Sequence, residues 1–435
     1  MKFLIKGFVF RLIYTLASFL VSLFIAKFAG ADRFGVLSLM IINAAFIQII
    51  TGLGTDAAIV WHGISEKMGD RNSIFSITFY STILQLLLFV VSAFLIYGFA
   101  GRTILTGETH TNLFYAELLY FIGLVVAEKY TSLFYSQQMA ALCNRLLAIV
   151  SAALFLTILI VLFFSPVIIA NNPEWIFSLF VFIPAMVLVI FYHFKFTPLL
   201  KKVNRDVVKS FTNFSFIVLI TNIIQFVAYR VDFWLIDYFH GRGDVGIYAQ
   251  ATKFSQLLWI IPVVLAGLVV PALKNKINKL SVTELISACR LLFFTHIILG
   301  VGLLGAAWIL YKFFLPDIYF TGFRSLVIML PGYLFFIITT ILAAYFSANG
   351  LLKINLLGSS LCLVLILTLD LILIPKFSFT GAAIANLFTY VLTSIYFIMG
   401  MTKQTGVAFK DFFMISKSDL KIFSTRFANR NDNIE

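Results

Sequence analysis

The sequence is short of charge, cysteine and histidine, and each shortage excludes something. Asp, Glu, Lys and Arg make up 12% of 435 residues, whereas 61% are hydrophobic. That leaves too little polar surface to wrap a water-soluble core. The three cysteines, Cys143, Cys289 and Cys362, lie within or beside apolar segments. Their spacing suits neither a disulfide framework nor a zinc knuckle. Five histidines are scattered without ligand spacing, so no metal site is expected. A G-x-x-x-x-G-K-[ST] loop is missing, which argues against direct use of ATP. No D-x-D pair occurs, and no stretch between apolar runs is large enough for a separate catalytic domain. No cofactor is expected.

What the chain does have is apolar length. Its mean hydropathy is +1.01, and runs of about 20 apolar residues, enough to cross roughly 30 Å of hydrocarbon, recur almost to the end. Only helices can satisfy their own backbone there, and the period-2 alternation of a barrel strand is lacking. The opening "MKFLIKGFVFRLIYTLASFLVSLFIAKF" begins like a signal peptide but is long and lacks an A-x-A-like exit, so it reads as an uncleaved first helix. Helices are predicted near 8–28, 36–61, 74–97, 112–133, 146–165, 175–194, 211–237, 246–271, 285–311, 324–346, 354–374 and 380–400. The expected fold is an all-α integral membrane protein of about twelve spans.

A net charge of +13 raises the possibility of nucleic-acid binding, and the placement of the charges argues against it. With a cytoplasmic N-terminus, 21 basic residues fall in inside segments and 7 in outside ones. Lys129, Arg230, Lys253 and Arg290 remain within spans. This is the positive-inside pattern, with both termini cytoplasmic.

Two short stretches repeat. "FAGADRFGVLS" (28–38) and "FHGRGDVGIYAQATK" (239–253) share F-x-G, three residues, then a bulky apolar residue, Gly and a β-branched residue, at a constant offset of 211. The repeat falls where helix one meets helix two and where helix seven meets helix eight. Six spans precede the basic connection "KFTPLLKKVNRDVVKS" (195–210) and six follow it. An even number per half makes the repeats parallel. The expected organisation is a six-helix lobe over 1–200, a second over 201–400 around a central cavity, and a basic cytoplasmic tail over 401–435. Gly30 and Gly241 can end a helix with positive φ, and Gly35 and Gly246 allow a tight re-entry.

Three stretches carry a resemblance to a known family: "FAGADRFGVLSL" with "GLGTDAAIV"; "YRVDFWLIDYFHGRGDVGIYAQATKFSQLLWIIPVVLAGLVVPAL"; and "ILAAYFSANGLLKINLLGSSLCLVLILTLDLILIPKFSFTGAAIANLFTYV". Asp232, Gly241, Gly246, Tyr248, Pro262 and Pro271 stand where that family has them. The chain resembles the polysaccharide exporters that include O-antigen repeat-unit flippases, within the multidrug/oligosaccharidyl-lipid/polysaccharide superfamily. The resemblance implies a V-shaped pair of six-helix lobes in the bacterial inner membrane. It implies transfer of an undecaprenyl-diphosphate-linked oligosaccharide from the cytoplasmic to the periplasmic leaflet. The implied partners are that lipid-linked substrate, a coupling ion (H+ or Na+), membrane lipids and other polysaccharide-assembly proteins, and no nucleic acid.

Ionisable residues inside spans are costly and tend to face the bundle interior or water. Glu117 and Glu128 are 11 residues apart, which places them within roughly 20° of one helix face and about 16 Å apart. Two readings stand: an acidic track that takes the coupling ion, or two partners for basic residues on neighbouring helices. Lys129 points about 100° away from Glu128 and is expected to snorkel to the interface. Ser215, Asn222, Gln225, Tyr229 and Asp232 fall within about a 100° arc, a polar stripe expected to line a cavity. Arg230 lies off that stripe, and its planar fork suits a pyrophosphate. Lys253 and Asp232 are expected at similar depth on adjacent helices, as an ion pair or as cavity groups. Arg290 is a candidate for first reception of the headgroup, and Asp370 a further coupling candidate.

The leading expectation is therefore an ion-coupled flippase. A multidrug/cation antiporter of the same superfamily is the alternative, and it would want a net acidic cavity. A membrane polymerase would carry a long outside loop, whereas the longest here, near Gly98–Thr111, is short. An acyltransferase would pair an intramembrane histidine with an acid, and His296 has none nearby in sequence.

Overall fold

The computed structural model describes residues 2–64, 71–274 and 281–414. Most of the 401–435 tail lies outside the described residues. Among those described, no strand occurs. The helices are α1 (Lys2–Gly52), α2 (Thr55–Ile64), α3 (Arg71–Ala100), α4 (Thr111–Ser136), α5 (Ala140–Phe164), α6 (Pro166–Asn171), α7 (Pro173–Phe196), α8 (Arg205–His240), α9 (Arg242–Leu257), α10 (Ile260–Lys274), α11 (Val282–Phe313), α12 (Phe320–Ala348) and α13 (Leu352–Thr405). Among the described residues nine helices are long and apolar enough to cross a membrane, or ten if α9 and α10 form one span. The chain is a multi-pass helical membrane protein.

Two elements are too long for one crossing. At about 1.5 Å per residue, the 51 residues of α1 would reach about 77 Å, more than twice the hydrocarbon thickness. Each long element is interrupted once: α1 at Gly30 (φ 79°, ψ 174°) and α13 at Ser378 (φ 48°, ψ −137°), three residues after Pro375. These breaks fall where the hydrophobic pattern separates 8–28 from 36–61 and 354–374 from 380–400.

Two predicted spans are not continuous. The span expected over 36–61 breaks after Gly52: Leu53 and Gly54 take positive φ, and α2 restarts at Thr55. Gly54 sits where a Cβ would be 2.3 Å from the Ser215 carbonyl oxygen, so this turn is pressed against α8. The span expected over 246–271 bends by 48° between α9 and α10. Pro262 explains the bend, because its ring cannot coexist with a straight helical carbonyl four residues earlier, at Leu258. Leu258 and Trp259 instead donate to carbonyls three residues back, at Ser255 and Gln256.

The chain divides into two compact units. The first comprises residues up to Asp237 together with Gly241–Gly246, and the second comprises Tyr238–His240 and Ile247 onward. In the first, Val126, Tyr130 and Phe134 of α4 pack with Leu188 and Tyr192 of α7 and with Phe75 of α3. In the second, Ile338, Leu342 and Phe346 of α12 pack with Phe397 and Met401 of α13 and with Phe293 of α11.

The repeated glycines have a matched geometry. Gly241 takes φ 89°, ψ −176°, nearly the conformation of Gly30. Within the first unit the segments that follow cross at contact distance. A Cβ on Gly35 would lie 1.9 Å from the Arg242 carbonyl oxygen, and one on Gly246 would lie 2.0 Å from that of Ala31. Ala31 and Arg242 are themselves 211 apart, so the contact is reciprocal.

Candidate functional site

The interruption at Leu53–Gly54 puts Thr55 and Asp56 in the first turn of a new helix, where unsatisfied N–H groups favour negative charge. Opposite them, α4 carries Glu128 and Lys129 about 100° apart, so the two charges face different surroundings. Lys129 is fully buried, its Nζ 2.9 Å from Asp56 Oδ1 and donating to Thr55 Oγ1. The snorkelling expected for Lys129 does not occur, because the break in the predicted second helix brings a carboxylate within its reach. A fully buried ammonium is thus satisfied by a half-buried carboxylate at a depth where the cation alone would be costly.

Glu128 is solvent-accessible and accepts a hydrogen bond from Gln48 Nε2 of α1. Gln48 is steadied by Gln85 of α3, whose Nε2 donates to the Gln48 carbonyl (3.1 Å) and to Thr51 Oγ1 (3.2 Å). The charges of Asp56, Lys129 and Arg11 all act on Glu128. Arg11, exposed on α1, stands over the Tyr14 ring at 5.3 Å. Nearby, Tyr135 donates to Asn144 Oδ1 (3.0 Å), and Asn144 Nδ2 donates to the Gly7 carbonyl (3.1 Å). Two cations and two carboxylates from α1, α2 and α4 thus gather in the first unit, with Arg11 and Glu128 exposed, Asp56 half-buried and Lys129 buried.

Glu117 is placed differently. It is buried, and its carboxylate accepts from Leu105 N (3.0 Å), Thr106 N (3.1 Å) and Thr106 Oγ1 (2.6 Å). The loop so held offers its carbonyls onward: Leu105 to Asn43 Nδ2 (2.5 Å) and Thr106 to Arg242 (2.8 Å), which also pairs with Asp237 (3.2 Å). Asn43 Oδ1 in turn accepts from Trp234 Nε1 of α8 at 2.6 Å.

Along α8, Ser215 and Asp232 are buried, Asn222 and Tyr229 are half-buried and Gln225 is exposed, donating to Tyr229 (3.3 Å). Asp232 Oδ1 accepts from Phe233 N (2.9 Å), and the half-buried Arg230 guanidinium stands 5.7 Å from the Phe233 ring. In the second unit, Lys253 is half-buried on α9 and Asp370 fully buried on α13. Arg290, near the start of α11, donates to the carbonyls of Asp411 (2.9 Å) and Met414 (3.1 Å). These bonds tie it to the segment after α13.

Two members of the first-unit cluster escape a sequence reading. Arg11 counts there as a terminal topology charge, and Asp56 falls outside the helix-wheel patterns. Their signal was local: an arginine four residues after Gly7 in an apolar run, and a lone Asp following G-L-G-T.

Charged and amide groups thus gather within a bundle of membrane-crossing helices, where ionisable side chains are costly to hold. Solved structures share this fold. The lipid II flippase MurJ, in an inward closed conformation, has a TM-score of 0.73 at 16% identity, covering 100% of this chain and 93% of its own. An inward-facing multidrug-resistance MATE transporter of the MOP superfamily has a TM-score of 0.66 at 12% identity, covering 91% and 96%. The MATE multidrug transporter DinF-BH, solved as a complex, has a TM-score of 0.66 at 15% identity, covering 95% and 96%. A comparison with curated proteins finds no match. The family model described as "Polysaccharide biosynthesis protein" matches residues 7–275, and the chain belongs to that family.

Proposed function

We propose that this protein flips an undecaprenyl-diphosphate-linked oligosaccharide, an O-antigen or capsule repeat unit, from the cytoplasmic to the periplasmic leaflet of a bacterial inner membrane. The reading has twelve crossings with both termini cytoplasmic, lobes over 1–200 and 201–400, and alternating access coupled to H+ or Na+. Family membership supports it, as does the fold shared with a lipid II flippase. The observation that carries it is the first-unit cluster, where exposed Arg11 and Glu128 accompany the ion pair of buried Lys129 with half-buried Asp56. A diphosphate needs an accessible cation, and a guanidinium grips two of its oxygens at once. Arg11 and Arg230 take that role. Glu128, whose carboxylate lies within the field of the Arg11 charge, takes the coupling ion: filling it with a proton or Na+ changes how much of the Arg11 charge is available to the diphosphate. Asp232 and Asp370 are the further coupling candidates, and Lys253 a further headgroup cation.

A multidrug/cation antiporter is the second reading, favoured by the MATE likenesses. A cationic cargo wants a net acidic site, whereas Arg11 and Lys129 offset Asp56 and Glu128 here. The test is deletion in a bacterium with a defined surface polysaccharide. Flipping predicts loss of surface polymer with lipid-linked single repeat units accumulating on the inner leaflet. Unchanged polymer with new sensitivity to cationic dyes would replace this reading with the antiporter.

A further inference from the structure

A second feature of the first unit lies apart from the charged cluster, where the connection between α7 and α8 folds back on α3. Thr197 ends α7 in the left-handed region (φ 40°) and turns the chain. The connection is then fastened to α3 by two bonds, Leu199 N to Asn72 Oδ1 (3.2 Å) and Lys201 N to Ser76 Oγ (2.8 Å). These bonds fix the backbone that carries Lys201 and Lys202, so the pair is presented from a built surface rather than a loose loop. The pair lines a cavity of about 500 Å³ together with Ile77 and Tyr80 of α3, Leu200 and Val203 of the connection and Val208 of α8.

Charge and shape there point the same way. The run 195–210 contains five basic residues and one acid, Asp206. The Arg71 guanidinium adds to this end of the unit, 4.7 Å from the Phe196 ring. From the cavity a continuous apolar stripe runs along α3: Tyr80, Leu84, Leu87, Leu88 and Val91 are each at least half exposed. Their spacing of four, seven, eight and eleven residues from Tyr80 puts them on one face. Two basic side chains lining an otherwise apolar cavity that adjoins an exposed apolar stripe match one chemistry, a phosphate carrying acyl chains. Neither an acidic peptide nor a nucleic acid would use the stripe.

We propose that this cavity is a binding site for an anionic phospholipid of the surrounding bilayer, its phosphate between Lys201 and Lys202 and its acyl chains along α3. Basic pockets at the ends of membrane helices hold such headgroups through about 1 kcal/mol per lysine near the surface. Losing both should weaken binding roughly thirty-fold.

The experiment uses the purified full chain in detergent, titrated with phosphatidylglycerol and separately with phosphatidylcholine. Retained lipid is counted by native mass spectrometry, and the thermal midpoint is followed in parallel. Phosphatidylglycerol should be retained and raise the midpoint, with phosphatidylcholine doing neither. Lys201→Gln/Lys202→Gln should lose about thirty-fold in affinity, and Val203→Trp, which fills the cavity at unchanged charge, should displace the lipid as well. Lys353→Gln/Lys403→Gln removes the same charge elsewhere and should bind like the parent. The proposal is overturned if Lys201→Gln/Lys202→Gln or Val203→Trp binds as tightly as the parent, or if the control pair loses as much. Displacement by millimolar inorganic phosphate would overturn it too, because the site would then take a free anion rather than a lipid.

Discussion

Replacing Gly35 with alanine should destabilise the protein, the reverse of the usual sign. In an unobstructed helix interior this change gains about 1 kcal/mol. At position 35 the new Cβ lands 1.9 Å from the Arg242 carbonyl oxygen, 2.7 Å from its carbon and 3.2 Å from Gly246 N. A carbon and a carbonyl oxygen settle near 3.3 Å, so the crossing must open by roughly 1.4 Å. The obstructing atoms are backbone and cannot swing aside as a side chain would. Overpacking of this kind costs up to about 3 kcal/mol, and after the gain in propensity a net loss of about 2 kcal/mol remains. Gly246→Ala meets the Ala31 carbonyl at 2.0 Å and should behave alike. Because one opening relieves both clashes, the double variant should cost less than the sum of the single ones. Gly302 of α11, where a Cβ would meet nothing within 4 Å, supplies the control and should gain stability as alanine. The assay is the thermal midpoint of the detergent-solubilised protein. A midpoint for Gly35→Ala that rises with that of Gly302→Ala, or strict additivity of the pair, would refute the reasoning.

Lys129→Met should cost up to about 3 kcal/mol by stranding the half-buried Asp56 carboxylate, and Lys129→Met/Asp56→Asn should recover most of it, read as the folded fraction after solubilisation. Glu128→Gln, at an accessible position, should leave that fraction unchanged while abolishing ion-coupled transport; full transport would remove Glu128 from coupling. Arg230→Ala should reduce surface polysaccharide per unit of inserted protein, with Arg230→Lys only a partial rescue because the bidentate fork is lost. Arg290→Ala removes two bonds to the carbonyls of Asp411 and Met414, together about 3 kcal/mol of local tethering, and limited proteolysis should cut sooner after Thr405.

Most of the helix pattern was legible because it follows from hydropathy alone, which tracks lipid exposure. The break at Gly30 was also readable, since glycine flanked by apolar runs in two copies has few other uses. The break after Gly52 was hidden, because "ITGLGTDAAIV" stays apolar across it; what forces the turn is the approach of α8 at Ser215, a contact 161 residues away. The charged cluster depends on that turn. The spacing of Glu117 and Glu128 along α4 was legible, but spacing on a helix says nothing about what stands opposite. One faces a loop that needs its oxygens, the other an exposed position where Gln48 of α1 meets it. Arg290 illustrates the same point: its depth in α11 was readable, whereas its carbonyl partners lie more than a hundred residues on.

The carboxylate of Glu117 has a practical bearing on how the molecule can be labelled. Epitope tags, protease sites and fluorescent inserts are usually put into turns between membrane helices, and Gly98–His110 looks suitable by length. The stretch from Thr103 to Thr106 is the wrong half of it. There the peptide groups are spoken for by Glu117, Asn43 and Arg242, and Thr103 and Thr106 are buried. An insert at that point would unhook α1 and α9 from a shared anchor and report on a damaged protein. Gly101–Arg102, exposed or open to added atoms, is the position where foreign sequence should be carried without disturbing the bundle.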